Sequence, residues 1–495
     1  MPNGLIDFVA SLPHTRIVLM GDLMLDRYLF GLAERVSPEA PVPILHFQHE
    51  EYRLGGAGSV VADLAGLGAH VKVIGVLGRD SQAQEVRSRL LAAGADINGV
   101  LECPDRPTVT KMRLLGASQH RQPQQLIRLD IENVAPITET LARELLGHLA
   151  AALEDAELLC IEDYHKGLLE NGVCQRAIEL ARQRNVPVLI DPANIADYSR
   201  YAHATGLKMN RVEAERATGL PVRLPEHYAP AADVLLDRLD LEAVMITLDR
   251  QGMFLATRDG LRRHLRTRER QVFDATGAGD MVLAMIAVAR AAGASWPDAC
   301  ALGNIAGGLE VEKLGCVPIT PREIIQDLLS EHSARAGKQR TVEELCAELQ
   351  RHRSLGRKIV FTNGCFDIVH LGHVEYFRFA KRQGDVLVVA VNSDDSIRRL
   401  KGPRRPIISE EDRLSVLEEL ESIDYLVKFD EDTPIPLLEK LRPDVLVKGA
   451  DYSKEKVVGW ELVESYGGRI ALAPLVDGRS TSNVIQRILD AYGAG

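Results

Sequence analysis

Two short segments hold residues whose types and spacing suit chemistry on phosphates. The first is Asp274-Ala275-Thr276-Gly277-Ala278-Gly279-Asp280, which runs directly into the apolar stretch MVLAMIAVARAAG. A stretch apolar on every side is the pattern of a buried helix, so the two glycines fall at its N-terminal turn. Backbone N–H groups there can crowd around an anion, and the helix dipole adds partial positive charge. A carboxylate beside a bound phosphate is repelled unless it has a task. Accepting the proton of an attacking hydroxyl is such a task, because phosphoryl transfer asks mainly for positioning, charge neutralisation and a base near the nucleophile. Asp280 is therefore the candidate base, the turn Gly277-Ala278-Gly279 is the candidate anion hole, and Thr276 beside it is a candidate nucleotide contact. The same glycines would also suit a turn that only packs a helix onto a strand.

The second segment is Thr362-Asn363-Gly364-Cys365-Phe366-Asp367, followed by His370-Leu371-Gly372-His373, an amphipathic helix and the strand DVLVVAVNSD. His370 and His373 are three residues apart, so on a helical turn they share one face at its positive end. The dipole there favours neutral imidazoles, which still donate a hydrogen bond to phosphate. Paired histidines also ligate zinc, or simply pack, and the nearby Asp367 is suited to holding one of them in orientation.

These segments need a scaffold, and the rest of the chain supplies one. Apolar strand-like runs (RIVLMGD, HVKVIGVLG, ELLCIEDY, VPVLIDP, AVMITLD) alternate with helical segments, which predicts an α/β fold with a parallel sheet covered on both faces. RYLFGLAERVSPEAPVPILHF interrupts the pattern; Pro38, Pro41 and Pro43 keep it off a central strand and suit an edge or a projecting flap. Thr320 with Glu323, and Thr341 with Glu344, read as capping boxes on either side of a polar stretch. This predicts a first domain over 1–325, a linker and helix start over 326–345, and a second domain over 346–495.

The composition fits that frame. The 495 residues include 59 basic and 70 acidic ones, a net charge of −11 that argues against a generic nucleic-acid binder while leaving local anion pockets open. The seven cysteines include no CxxC pair, which predicts free thiols in a reducing compartment. The longest apolar run, Met281 to Ala289, is too short for a bilayer span, so the expectation is a cytoplasmic enzyme with no membrane association.

Residues 15 to 325 resemble the ribokinase-like (PfkB) family of sugar kinases. The likeness rests on GDLMLDRY, LGGAGSVVADLAGLG, GVLGRD, TVTKMR, LIRLD, EDYHKG, LIDP, KMNRVEAE and the DATGAGD signature. It implies a ribokinase-like domain with a β-flap lid. It places sugar-phosphate contacts at Asp22, Asp26, Gly55, Gly56, Ser59, Asp163 and a cationic set of Lys111, Arg113, Arg128 and Lys166. Asn210, Arg211, Val212 and Glu213 would take the nucleotide phosphates, with Glu213 placing Mg2+. Ser59 stands where the family usually has Asn, and so has a shorter reach.

The second block resembles the HxGH nucleotidyltransferase family, which has a Rossmann-like fold. Its histidines steady the phosphates of a nucleoside triphosphate while a substrate phosphate attacks the α-phosphorus. That resemblance implies nucleotide contacts at Thr362, Asn363, Phe366, Asn392, Asp394, Lys401, Lys448, Ser480 and Thr481, beside His370 and His373. A ribokinase-like kinase followed by an HxGH domain resembles the two-domain enzymes of ADP-heptose formation. It implies phosphorylation of a heptose 7-phosphate at O1, and adenylyl transfer from ATP to heptose 1-phosphate, with Mg2+ accompanying ATP in both. A separate heptose bisphosphate 7-phosphatase would act between the two steps. The flap at 28–47 resembles a lid used in dimer contacts, which implies a homo-oligomer.

Overall fold

The computed structural model describes residues 2–117, 123–268, 270, 272–274, 276–313, 315, 317–335, 337–449, 453–474 and 490. Two compact units divide the chain, Met1–Asp327 and Leu328–Gly495. No helix among the described residues is long and apolar enough to cross a membrane.

The first unit is built on a nine-stranded sheet. From one edge its strands run Arg262–Leu265, Met253–Thr257, Ala243–Thr247, Gly206–Asn210, Val188–Asp191, Leu158–Glu162, Arg16–Gly21, His70–Leu77 and Asp96–Glu102. The central strands pair in parallel, and near one edge Met253–Thr257 runs against them, pairing antiparallel with Ala243–Thr247 and Arg262–Leu265. Strands buried on both faces read as continuous apolar runs, which is why RIVLMG and LLCIE carry no alternation. The apolar helix Ala278–Ala291 is buried from Met281 to Ala289, as its sequence requires.

The flap is larger than the proline-rich segment predicted. Leu23–Val36 and Pro43–Gly56 form an antiparallel hairpin, and Val109–Ala117 joins Leu23–Val36 in parallel with Gln124–Ile131 outside it, giving a four-stranded sheet. Pro43 opens the edge strand, where a missing N–H costs least. The second hairpin went unassigned to the flap because TVTKMRLLGA and QQLIRLDI look like any strand pair, and only the tertiary fold separates them from the main sheet.

The second unit has a six-stranded, all-parallel sheet in the order Gln339–Arg340, Tyr425–Phe429, Val386–Asn392, Ile359–Gly364, Val445–Gly449, Arg469–Ala473. Both predicted capping boxes are present: Thr320 and Glu323 start the helix Pro321–Arg335, and Thr341 and Glu344 start Val342–Ser354. Part of the predicted linker belongs to this unit, since Gln339–Arg340 forms its edge strand. Arg340 is buried against Glu348 at 2.6 Å and fixes the segment to the helix that follows.

Candidate active sites

In the first unit the parallel strands deliver their C-terminal ends to one cleft, the usual ligand side of an open α/β sheet. Asp22 and Asp163 follow the ends of Arg16–Gly21 and Leu158–Glu162, and Asp191 and Asn210 end the next two strands. Gly277 caps the helix Ala278–Ala291 from the left-handed region, φ 92°, which a side chain would strain. Asp280 lies in the first turn of that helix. Burial pushes its carboxyl up to about 6 and Asp191 pushes the same way, against the opposing pull of Lys208 and hydrogen bonds from Ser59 and Tyr164. Tyr164 Oη donates to Asp280 Oδ1 at 3.3 Å. A carboxylate with this affinity is deprotonated at neutral pH yet able to hold a proton briefly, as a general base should.

Behind Asp280 is a cluster that the motifs did not reveal. Lys208 is buried and ion-paired to Asp191, and a Cβ on Gly279 would come within 3.1 Å of its Nζ. Burial, and then Asp191 and Asp280, raise Glu162 well above the carboxylate range. The available signal was a charge inside an apolar strand run, Lys208 in GLKMN and Glu162 in LLCIE. Asp63 and Glu310 are buried on two helices, each with carboxyl oxygens lacking a hydrogen-bond partner. Burial, then the charges of Glu310 and Asp280, raise Asp63 well above the carboxylate range, and burial, then Asp280, raises Glu310 to about 8.

The predicted sugar-phosphate residues divide by what they touch. Asp22 accepts from the backbone N–H of Tyr164 at 3.0 Å and of Lys166 at 3.1 Å, and burial with the charge of Asp163 raises it to about 6. Asp26, on the flap, pairs with Arg113 at 2.8 Å. Gly55 leaves room beside it, since a Cβ there would sit 3.0 Å from the Asp26 carboxyl carbon and the carboxyl would have to shift. A Cβ on Gly56 would fall 2.6 Å from the Asp22 carbonyl oxygen. Lys111 stands over the Tyr164 ring at 4.9 Å, and burial followed by the neighbouring cations Lys166, Arg113 and Arg128 lowers its proton affinity against the pull of Asp26. Lys166 pairs with Glu132 at 2.8 Å and Arg128 with Asp130 at 2.9 Å.

Other predicted residues also brace the fold. Asp163 spends both oxygens internally, on His165 N–H, Tyr201 Oη and Arg200. Ser59 hydrogen-bonds the Asp280 carboxylate. Asn210 and Glu213 form a reciprocal capping box on the helix Arg211–Thr218, and burial with nearby Asp191 raises Glu213 to about 7. Arg211 turns inward to Asp249 and to the carbonyls of Val222 and Leu248, while Val212 is exposed. Thr276 N–H donates to Asp274 at 2.9 Å, which closes the turn before Gly277.

In the second unit His370 caps the helix Leu371–Lys381, and its ring stacks on His373 with centroids 4.0 Å apart. Burial, then the proximity of His370, lowers His373 to about 4, so its imidazole is neutral as predicted, although the dominant cause is burial. Phe366 presents its edge to His373 at 5.5 Å.

Asp367 does not orient a histidine. Its buried carboxylate accepts from Ile407 N–H at 2.7 Å and Ile408 N–H at 3.0 Å and pairs with Arg405, anchoring the loop after Lys401. Sequence distance hid this, since the partners lie some forty positions on. Arg413, fully buried, donates to the carbonyl of Cys365 at 2.6 Å and pairs with Asp394 at 2.7 Å. Lys448 donates to the carbonyl of Asn363 at 2.9 Å, and Asn392 Nδ2 to Ser396 at 3.1 Å. Thr362 is buried against Tyr376 Oη at 2.6 Å, while Lys401 is exposed. Ser480 and Thr481 lie outside the described residues. No cluster of three or more metal-ligating side chains exists among the described residues, so the histidine pair has no third such ligand there.

Comparison with known proteins places both units. The family model for pfkB family carbohydrate kinases matches residues 14–323, and a cytidylyltransferase-like model matches 361–484. The chain is 45% identical over 476 residues to the bifunctional protein HldE of Geobacter metallireducens, 96% of each chain. It is 43% identical over 489 residues to that of Syntrophotalea carbinolica, 99% of each. The chain belongs to the HldE family of bifunctional proteins. Like other HldE proteins it joins a carbohydrate kinase to a nucleotidyltransferase in one enzyme. Solved structures bear out the kinase fold alone: Arabidopsis thaliana ribokinase at TM-score 0.51 and 18% identity, and Escherichia coli phosphofructokinase-2 at 0.54 and 15%. Each aligns over 64% of this chain and 99% of the other.

Proposed function

We propose that the first unit phosphorylates D-glycero-β-D-manno-heptose 7-phosphate at O1 and that the second joins heptose 1-phosphate to AMP, giving ADP-heptose. The observation that carries the first step is Asp280, a carboxylate tuned to about 6 in the first turn of a glycine-capped helix. The O1 proton passes to Asp280 as O1 bonds to the γ-phosphorus and the bond to the ADP oxygen breaks. Backbone N–H groups from Gly277 to Gly279 face the developing charge. Lys111, Arg113, Arg128 and Lys166, with Asp26, receive the phosphosugar from the flap side.

Mg2+ bound with ATP would neutralise phosphate charge. The residues present suit it: burial raises Asp191 against the pull of Lys208, burial with the charge of Asp191 raises Glu213, and Glu162 Oε2 is buried without a hydrogen-bond partner. A cation relieves that crowding. Glu213 would hold it.

For the second step the carrying observation is the stacking of His370 on His373, whose imidazole is neutral, at a helix start. The sugar phosphate attacks the α-phosphorus of ATP and pyrophosphate leaves, so donors and alignment suffice without a covalent intermediate. Asn363, Phe366, Asn392, Asp394, Lys401 and Lys448 surround the nucleotide in this reading, with Ser480 and Thr481 joining them. The two reactions are not consecutive, because a phosphomonoester hydrolysis at O7 has to intervene; a separate 7-phosphatase fills that place. We also propose a cytoplasmic homo-oligomer, since the flap exposes Val36, Phe47, Ile127 and Leu129.

Mass spectrometry of products from heptose 7-phosphate and Mg-ATP, with and without added 7-phosphatase, tests the whole scheme. Bisphosphate alone is expected without the phosphatase and ADP-heptose with it. Asp280→Asn should abolish the kinase and spare adenylyl transfer, and His373→Ala should do the reverse. Preferential use of CTP with heptose 1-phosphate would sink the adenylyl assignment.

A further inference from the structure

Asp280 stands among charges on every side: Lys208 and Asp191 from neighbouring strand ends, Glu162 beneath, and Asp63 and Glu310 from the flanking helices. Among the described residues two neutral groups reach its carboxylate, the hydroxyls of Tyr164 and Ser59. Neither belongs to the DATGAGD motif, and they come from different elements. Ser59 is buried in the helix Ala57–Gly66 that follows the flap. Tyr164 follows the strand Leu158–Glu162, and its backbone is held by its own N–H on Asp22 at 3.0 Å.

Tyr164 has a second contact. Its ring carries the ammonium of Lys111, from the flap strand Val109–Ala117, at 4.9 Å from the centroid. A cation over an aromatic face is held electrostatically, and more strongly where water is scarce. Burial and the surrounding carboxylates keep the phenol neutral far above its ordinary range, so it remains a donor. One side chain thus joins the base to a flap cation.

We propose that Tyr164 and Ser59 are positioning residues for the phosphoryl transfer: their hydroxyls cradle Asp280 in its productive rotamer, and the Tyr164 ring seats Lys111 for the sugar phosphate. This rests on the proposed kinase reading. A donor on a carboxylate stabilises its charged form, so removing either hydroxyl should make the base harder to deprotonate.

The test is the pH profile of kinase kcat and KM for the full chain and its Tyr164→Phe, Ser59→Ala and Tyr164→Leu variants. Tyr164→Phe and Ser59→Ala should each lower kcat about tenfold near pH 6 and move the acid limb up by about half a unit or more, with KM for the phosphosugar little changed in Tyr164→Phe. Tyr164→Leu should add a rise in KM of about fivefold, because the platform for Lys111 is gone. Acid limbs that stay put in both Tyr164→Phe and Ser59→Ala, with kcat within about twofold of wild type, would overturn the cradle. Thermal unfolding identifies a variant that fails to fold, and the other then decides. A wild-type chain inert on heptose 7-phosphate faults the substrate assignment instead, and the profiles are then read on whichever phosphosugar it accepts.

Discussion

At the scale of residues, the two sites work with titratable groups displaced in opposite directions. Asp280 is raised to about 6 and, as the proposed base, must be deprotonated to act, so kinase activity should climb with pH through about 6. His373 is lowered to about 4 and stays neutral across the same range. Adenylyl transfer should therefore hold its rate from pH 7 to about 5 while kinase turnover falls, which parallel assays on one preparation would show. Arg413 offers a different residue-level prediction. Its guanidinium is wholly buried with partners on Cys365, Ile408 and Asp394, so Arg413→Met should destabilise the second unit by about 3 kcal/mol in denaturant unfolding. Legibility in the sequence follows the same division. The motifs around Asp280 and around His370 and His373 are legible because their residues lie within a few positions of one another. Lys208, Glu162, Asp63 and Glu310 are not, because strands and helices far apart in sequence bring them together and each looks like a stray charge in an apolar run.

At the scale of elements, what matters is how closely backbones approach. Asp26 points at Gly55 across the flap hairpin, with the Asp26–Arg53 and Leu25–Leu54 pairs fixing the register. Gly55→Ala should push the Asp26 carboxyl aside, raising KM for the phosphosugar several-fold while kcat changes less, because the base and anion hole lie on other elements. The parallel sheets were legible from their apolar runs, and the capping boxes placed two helix starts correctly. The full extent of the flap was not, since no local pattern distinguishes a strand of the flap from a strand of the main sheet. The short edge strand Gln339–Arg340 was hidden for a related reason: two residues carry no periodicity, and its place depends on pairing with Leu426 and Val427.

At the scale of the whole molecule, the two units should answer acid differently. In the first, Asp22 and Asp280 at about 6, Glu213 at about 7 and Glu310 at about 8 all bind protons more tightly folded than unfolded. Acidification from pH 7.5 to 5.5 therefore stabilises that unit. In the second, His352 and His373 are both lowered to about 4 by burial, so the unfolded chain takes up protons first and stability drains away as pH falls below about 6.5. Scanning calorimetry across that range should show two transitions moving in opposite directions. A single transition moving one way would contradict the assignment of these shifts.

The capping box between Asn210 and Glu213 bears on how the kinase should be dissected. The carboxylate meant to serve a metal is also the bracket that starts a helix, accepting from Asn210 N–H at 2.7 Å. An alanine at 213 would therefore fray the helix and strip a cation ligand in one stroke, and the resulting loss could not be attributed to either. Glutamine keeps an oxygen for the bracket and deletes only the charge. Magnesium titrations of Glu213→Gln, set beside the melting temperature of the same variant, separate a scaffold's debt to this residue from a reaction's.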